Sequence, residues 1–330
     1  MKKATAIANA NIALVKYWGK RNKELILPYN GSISMTCDGL FTTTTVEFSD
    51  KYSEDTVIIN DEELARDEKD ILGHLERIRK MAGIKEKARA VSESNFPVAA
   101  GLASSASGLA ALTLAAAKAT GLDLDRKELS ILARQGSGSA CRSIYGGFVE
   151  WLKGMKEDGS DSYAEQIVDK NYWSEFRMIV TILTEAKKKI GSRAGMAQTV
   201  ETCPYYQGWL KTVDEDLKII REGILQKDFT KAGVQTEHDC LKMHALMMTT
   251  RPSIIYWRPA TMELIQNVIN WREEGLECYF TIDAGPNVKI LCLEKDEKEI
   301  NKRLLGIEGV IKTIIAKPGD DAKITDKHLF

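Results

Sequence analysis

The sequence predicts an α+β protein in two lobes, and three observations carry that reading. Segments rich in β-branched and apolar residues concentrate before position 184, whereas long segments of helical periodicity dominate after it. No repeat or low-complexity linker interrupts the chain. At 330 residues it has the length for one large or two ordinary domains with a substantial core. The change of pattern sets the joint near 183–189 and the lobes at 1–184 and 185–330.

In chain order, β-branched and apolar residues predict strands at 42–48, 57–60 and 88–92. Residues 62–81 read as a helix charged heavily enough to be largely solvated. The Ala/Leu run at 104–119 and the segment 126–135 read as helices, and 146–152 and 177–183 as strands. Three long helices follow at 206–225, 229–248 and 259–274. Strands at 279–282 and 288–293 then flank Asp283-Ala284-Gly285-Pro286-Asn287, and a helix at 298–305 and a strand at 310–315 complete the pattern.

Composition narrows the class. Hydrophobic residues make up 44% and charged residues 28%, as in a soluble globular protein. Net charge is −1, from 46 basic and 47 acidic residues, so no basic excess points to nucleic acid or a membrane surface. Met1-Lys2-Lys3 leads into mixed residues rather than a long apolar segment, so no signal peptide is expected and the cytoplasm is the expected location. Six cysteines lie scattered without a C-x-x-C pair, which argues against structural zinc and fits reduced thiols. Four dispersed histidines make a protein-built metal cage unexpected.

Residues 95–108, Asn-Phe-Pro-Val-Ala-Ala-Gly-Leu-Ala-Ser-Ser-Ala-Ser-Gly, are the most informative stretch. Gly101 bends without steric cost, and Ser104, Ser105 and Ser107 offer hydroxyls ahead of a strong helix former. A small-residue loop running into a helix start suits phosphate, although it is not the Gly-Lys-Ser/Thr loop. The uncharged run 94–117 is equally what a tightly packed helix looks like.

Four further groups are candidates. Lys16 and Lys20 flank Tyr17 and Gly19, two cationic arms and a hydroxyl near a turn, which suits an anion; solvated lysines at a strand end are the plainer alternative. In Gly136–Gly147, Arg142 lies three residues beyond Ser139, so a helix starting there puts both on one face. Arg142 would then grip a carboxylate, the plainer alternative being a serine cap with a solvated arginine. Lys187-Lys188-Lys189 with Ser192 and Arg193 forms a basic loop between the lobes, either solvated surface or a phosphate contact. Asp283 heads a turn of Asp, Gly, Pro and Asn, a plain hairpin connection in one reading. In the other it is a rigid carboxylate among cations and a candidate base.

Together and in this order, NIALVKYWGK (11–20), FPVAAGLASSASG (96–108), GSGSACRSIYGG (136–147), SRAGM (192–196) and YFTIDAGPN (279–287) resemble the diphosphomevalonate decarboxylase family of the GHMP kinase superfamily. The likeness spans nearly the whole chain. It implies a two-lobed GHMP-kinase-like fold, with an N-terminal ribosomal-protein-S5-like lobe, a C-terminal α/β sandwich lobe and the active site between them. It also implies ATP-dependent decarboxylation of mevalonate 5-diphosphate to isopentenyl diphosphate, with Mg²⁺ accompanying ATP, and a homodimer. By the same resemblance Asp283 is the essential carboxylate with Lys16 beside it, and Arg142 and Ser139 contact substrate. Tyr17, Lys20, Ser192 and Arg193 contact the diphosphate; Gly101, Ser104, Ser105, Ser107 and Lys188 serve ATP, with Ser105 near Mg²⁺. Many relatives carry a second serine where this chain has Gly191.

The implied chemistry matches the residue types. Phosphorylating a tertiary hydroxyl turns it into a leaving group, and electrons from the breaking carboxylate bond quench the carbocation that its departure leaves. ATP, a diphosphate and a carboxylate bring roughly eight negative charges into one cleft, which demands many cations. Two alternatives stand beside this reading: a 3-kinase or decarboxylase acting on mevalonate or its 5-phosphate, and a non-catalytic nucleotide-binding module.

Overall fold

The structure, a computed structural model, describes residues 3–64, 69–96, 104–184, 186 and 189–330, the side chain of Lys69 aside. Gly101, Lys187 and Lys188 lie outside the described residues. The chain opens with β1 (Lys3–Val15), the short pair β2 (Lys20–Asn22) and β3 (Leu27–Pro28), the long β4 (Ser32–Ser49), β5 (Thr56–Ile59) and β6 (Glu62–Glu63). Next come α1 (Lys69–Ala82), β7 (Lys87–Ser94), α2 (Ser104–Thr120) and α3 (Arg126–Gly136). A 3₁₀ turn at Gly138–Ile144 leads to β8 (Phe148–Trp151), β9 (Ala164–Val168) and β10 (Phe176–Ile182). Four helices follow, α4 (Ser192–Thr202), α5 (Tyr206–Gln226), α6 (Phe229–Met248) and α7 (Pro259–Glu273). The chain ends with β11 (Tyr279–Thr281), β12 (Lys289–Leu293), α8 (Glu297–Leu305), β13 (Lys312–Ala316) and β14 (Lys323–Thr325).

Two mixed layers result, as the α+β expectation requires. The larger sheet runs β14-β1-β4-β7-β5-β6, and β8 pairs with the start of β4 and with β9. The smaller runs β11-β12-β10-β13. Thus β10, before position 184, belongs to the later sheet, and β14 returns to the first. One apolar cluster spans both, with Ile12, Leu14 and Met35 meeting Phe176, Met178, Tyr206, Phe229 and Tyr279. Among the described residues no helix is long and apolar enough to cross a membrane.

Local chemistry explains the elements. Strand β1 is Ala- and Asn-rich, poor β-formers by propensity, and the sequence analysis placed no strand there. It is a strand because it lies between β4 and β14, and its alanines sit in the same cluster as Ala110, Ala111, Ala115 and Ala116 of α2. The long helix expected over 62–81 is corrected. Asn60 and Asp61 have positive φ, turning the chain so that Glu62–Glu63 pairs back on β5, and α1 starts only at Lys69. Nor is α1 largely solvated: His74, Leu75, Ile78 and Arg79 are buried, with Arg79 ion-paired to Asp55 and Glu76. The helix anticipated at Ser139 is a 3₁₀ turn.

Helix α6 packs on β11 through Gly233, where an added Cβ would overlap the Tyr279 ring. Gly233→Ala is therefore expected to destabilise the protein by about 1–3 kcal/mol in urea unfolding. Gly73→Ala, exposed in α1 with nothing within 4 Å, should stabilise it by about 0.5–1 kcal/mol. Equal midpoints for the two variants would contradict this packing.

Candidate active site

A cleft of about 540 Å³ opens where the end of β1, the start of α2, the 3₁₀ turn, the start of α4 and the segment after β11 converge. Its lining includes Lys16, Tyr17, Lys20, Ser104, Ser105, Ser139, Arg142, Ser192, Arg193 and Asp283. The fold therefore brings together candidates that the sequence scatters over most of its length. Ser107 is the exception. It is fully buried against β4, sharing a 2.8 Å hydrogen bond with Thr42 Oγ1, and does not line the cleft.

Asp283 is the centre of charge. Its Oδ1 accepts from Lys16 Nζ at 2.9 Å and its Oδ2 lies 3.3 Å from Lys289 Nζ. Both lysines are buried. Burial alone would push the Asp283 carboxyl up; Lys16 and Lys289 together overcome that and hold it well below the usual carboxylate range. Lys16 is held in turn: its Nζ donates to Ala13 O at 2.8 Å, its backbone N–H to Asp239 Oδ2 at 2.7 Å, and its carbonyl accepts from Asn30 at 2.8 Å. Behind Asp283, Ile282 meets α6, where its N–H donates to Cys240 Sγ at 3.1 Å and its carbonyl lies 3.3 Å from His244 Nε2.

Arg142 is buried on neutral acceptors. Its Nε donates to Ser34 Oγ at 2.9 Å, one terminal nitrogen to Ser32 Oγ, and the other to Asn11 Oδ1 at 3.1 Å. No carboxylate lies within ion-pair distance among the described residues. A buried guanidinium satisfied only by neutral dipoles retains its charge for an incoming anion.

A third group lies at the other end. The Tyr17 hydroxyl is buried without a hydrogen-bond partner among the described residues, its ring on Trp151, and burial pushes its pKa up. Lys20 falls to about 8, first through burial and then through repulsion by Arg193 and Lys23. Arg193 donates to Gly136 O at 2.8 Å and pairs with Asp70 of α1. Gly191 caps α4 without a side-chain hydrogen bond, and Ser192 and Arg193 follow in the first turn. Crowded cations beside a helix start form an anion site.

The lining also has an apolar part, made by Val57, Ile59, Ile71, Leu109 and Leu112. Among the described residues no three His, Cys, Asp or Glu side chains group to hold a metal ion. The sequence analysis missed Lys289 and Asp239. The signal for Lys289 was a single lysine at the head of an otherwise apolar strand, KILCL; for Asp239, an acidic residue on the buried face of α6.

Residues 8–164 match the family model for a diphosphomevalonate decarboxylase-like N-terminal domain, and residues 178–317 that for a mevalonate 5-diphosphate decarboxylase C-terminal domain. The chain is similar to the diphosphomevalonate decarboxylase of Candida albicans, 38% identical over 314 residues that cover 91% of this chain and 87% of that protein. Its fold is similar to that of MDDEF in complex with MVAPP, AMPPCP and magnesium, with a TM-score of 0.92, 42% identity, and 98% and 99% of the two chains covered. It is also similar to the mevalonate diphosphate decarboxylase from Enterococcus faecalis, solved for its mevalonate diphosphate-mediated ATP binding. There the TM-score is 0.90 at 41% identity, again covering 98% and 99%.

Lys20 gives the anion site a pH signature. Below pH 8 it is charged and attracts an anion; above, the unliganded protein loses that charge and affinity falls. Calorimetry with inorganic pyrophosphate should show wild-type binding weakening from pH 8 to 10 relative to Lys20→Gln. That variant should bind about tenfold or more weakly at pH 7 and lack the extra slope. Parallel profiles for the two proteins would remove Lys20 from the site.

Proposed function

The chain belongs to the diphosphomevalonate decarboxylase family, and from that premise we propose how its own residues divide the work. The reaction is the ATP-dependent decarboxylation of mevalonate 5-diphosphate to isopentenyl diphosphate, carbon dioxide, ADP and phosphate, with Mg²⁺ accompanying ATP. The observation that carries the assignment of roles is the Asp283 carboxylate fixed between Lys16 and Lys289 in a cleft that also holds Arg142 and a helix start.

The 5-diphosphate binds Tyr17, Lys20, Ser192, Arg193 and the uncapped start of α4, a reading supported by the depressed Lys20 and the buried Tyr17 hydroxyl. Arg142, with Ser139 beside it, takes the C1 carboxylate. Asp283 accepts a hydrogen bond from the 3-hydroxyl and aims its oxygen at ATP. The triphosphate lies along Ser104 and Ser105, and the base meets the apolar part of the lining. Ser105 is the hydroxyl we assign to Mg²⁺, whose charge, when bound, offsets that of the phosphates. The residue assignments to Gly101 and Lys188 concern positions outside the described residues and remain part of the proposal.

With these contacts made, the 3-oxygen bonds to the γ-phosphorus as the bond to the β–γ bridging oxygen breaks, and the hydroxyl proton passes to Asp283. The C3–O bond then breaks with its electrons leaving on phosphate. The C1–C2 electron pair moves in to form the C2–C3 double bond, and C1 departs as carbon dioxide. Lys16, Lys289 and Arg142 stabilise the transferring charge without moving.

We further propose lobes of 1–184 and 185–330, with β10 exchanged into the second and β14 into the first, contributing ATP contacts and Asp283 respectively, a homodimer, and a cytoplasmic location. Cytoplasmic placement is supported by six buried free cysteines and a near-neutral charge.

Two assays test the roles. Wild-type enzyme should release carbon dioxide in step with ADP and use the 5-diphosphate at least ~10-fold more efficiently, by kcat/KM, than the 5-monophosphate. Comparable values would favour the monophosphate decarboxylase or 3-kinase alternative. Asp283→Asn should lower kcat by ~10²–10⁴ with little change in the KM for ATP. Retention of more than about a tenth of wild-type turnover would exclude Asp283 as the acceptor.

A further inference from the structure

Lys289 has no part in any motif that led to the site, yet it occupies a demanding place in the structure. It is completely buried at the head of β12, inside the smaller sheet, followed by Ile290, Leu291 and Cys292. A lysine interred this way carries a cost in desolvation, and a buried ion pair commonly adds little to stability over apolar residues of similar volume, while removing one partner alone strands the other's charge. Its position therefore asks for a reason other than packing.

The geometry supplies one. Asp283 divides its oxygens between two lysines, Oδ1 to Lys16 at 2.9 Å and Oδ2 to Lys289 at 3.3 Å. The Lys289 ammonium also donates to Asn287 O at 3.2 Å. Asn287 is itself pinned, its Oδ1 accepting from Leu183 N–H at 2.8 Å and from Thr184 N–H at 3.2 Å, and its Nδ2 donating to Thr184 O at 3.1 Å. Lys289 thus spans the inside of the turn from Asp283 to Asn287 and ties the carboxylate to the frame of the smaller sheet. Lys16 reaches the same carboxylate from the other sheet.

We propose that Lys289 is a positioning residue for the reaction: from its buried seat on β12 it holds the second oxygen of Asp283 and the far end of the same turn, keeping the carboxylate charged and fixed toward the cleft. The proposal rests on the reading of Asp283 as acceptor of the 3-hydroxyl proton. Burial lowers the Lys289 pKa from the ordinary lysine range and Asp283 opposes that shift, while Lys16 meets the other carboxylate oxygen. A carboxylate can then sit among incoming phosphates without repelling them, and its proton uptake follows transfer of the phosphoryl group rather than preceding it.

Other groups face Asp283 from each packed element. Arg142 comes from the 3₁₀ turn, Cys37 from β4, and Cys240 and His244 from α6, with Asp239 beside them under Lys16. Burial pushes Cys37 up to about 12 and Cys240 to about 11, and pushes His244 down to about 3, so these three stay neutral near pH 7. Asp239 is raised by burial above the ordinary carboxylate range and faces the Lys16 backbone, so its titration falls on the alkaline side of that range. An acid limb that moves on changing Lys289 therefore reports Asp283.

The test uses Lys289→Met, Lys289→Gln and Lys289→Arg in the full chain, each checked for cooperative unfolding. Two readouts are taken: the pH profile of kcat/KM for mevalonate 5-diphosphate at saturating ATP, and the ¹³C titration of aspartate carboxyls, with Asp283 assigned from its absence in Asp283→Asn. In the Met and Gln variants the Asp283 titration and the acid limb should both move up by about 1–3 pH units, with Arg restoring much of the shift. At neutral pH kcat should fall more than substrate KM rises. An unmoved Asp283 titration in a folded Met or Gln variant overturns the proposal. So does the failure of both to fold, which would make Lys289 a residue of the fold alone. A wild type inactive on mevalonate 5-diphosphate would instead overturn the proposed function, while the ¹³C titration still decides the part played by Lys289.

Discussion

A carboxylate held between two buried lysines is the interaction on which the rest of this molecule depends. Any one of Asp283, Lys16 and Lys289 left alone in that interior would be expensive to ionise. Together they are stable as charges, but only if all three are held within a few tenths of an ångström, since the attraction must offset desolvation at every member. The surrounding fold meets that demand. Lys16 is fixed through its backbone on both sides by Asp239 and Asn30, Asp283 through Ile282 by Cys240 and His244, and Lys289 through Asn287. Asp239, Cys240, Met243 and His244 fall on one face of α6, so a single helix backs both sides of the ion pair.

The partners of that pair stand 267 residues apart in sequence. What brings them together is the core shared by the two sheets. It runs from Ile12 and Leu14 of β1 to Phe229 of α6 and Tyr279 of β11 without a solvent boundary. Sheet order does the remainder. Because β1, β4 and β7 lie inside the larger sheet and each lends residues to the lining, the cleft is walled in part by central strands rather than by loops alone. Sites supported this way keep their geometry when a ligand arrives.

How much of this was legible in the sequence depended on whether the signal was local. Helix α6 was read at its observed limits because its apolar residues recur with helical period, and α2 because an Ala/Leu run has one strong propensity. The segments carrying Lys16, Arg142, Arg193 and Asp283 were found, and the fold brings them to one cleft. What failed was whatever tertiary contact decides. β1 is a strand because of its neighbours, against its composition. The turn at Asn60 and Asp61 split an apparent helix, which no period reveals. Ser107 shares its motif with Ser104 and Ser105 yet is buried against β4, where its hydroxyl meets Thr42 Oγ1, a contact that only the packing of α2 on the sheet decides. Lys289 was invisible because the partner that gives it meaning is reached only through the turn.

The cations of the cleft fall into two kinds, and the difference says where binding energy is made. Lys16 and Lys289 are already opposed by Asp283, and Arg193 by Asp70 and a carbonyl, so an arriving anion there exchanges one partner for another. Arg142, held by serine hydroxyls and an asparagine, and Lys20, depressed by burial and then by its neighbours, meet no carboxylate among the described residues. An anion at either gains attraction without displacing one, and at Lys20 it also relieves repulsion. On the proposed pose these two grip opposite ends of the substrate, the carboxylate and the diphosphate. Its middle, where the 3-oxygen takes the phosphoryl group, lies over the balanced triplet. Tight binding at the ends and restraint at the reacting centre is the distribution that spends affinity on orientation rather than on trapping the ground state. The decisive acid is therefore surrounded by lysines, and the decisive arginine by neutral hydroxyls.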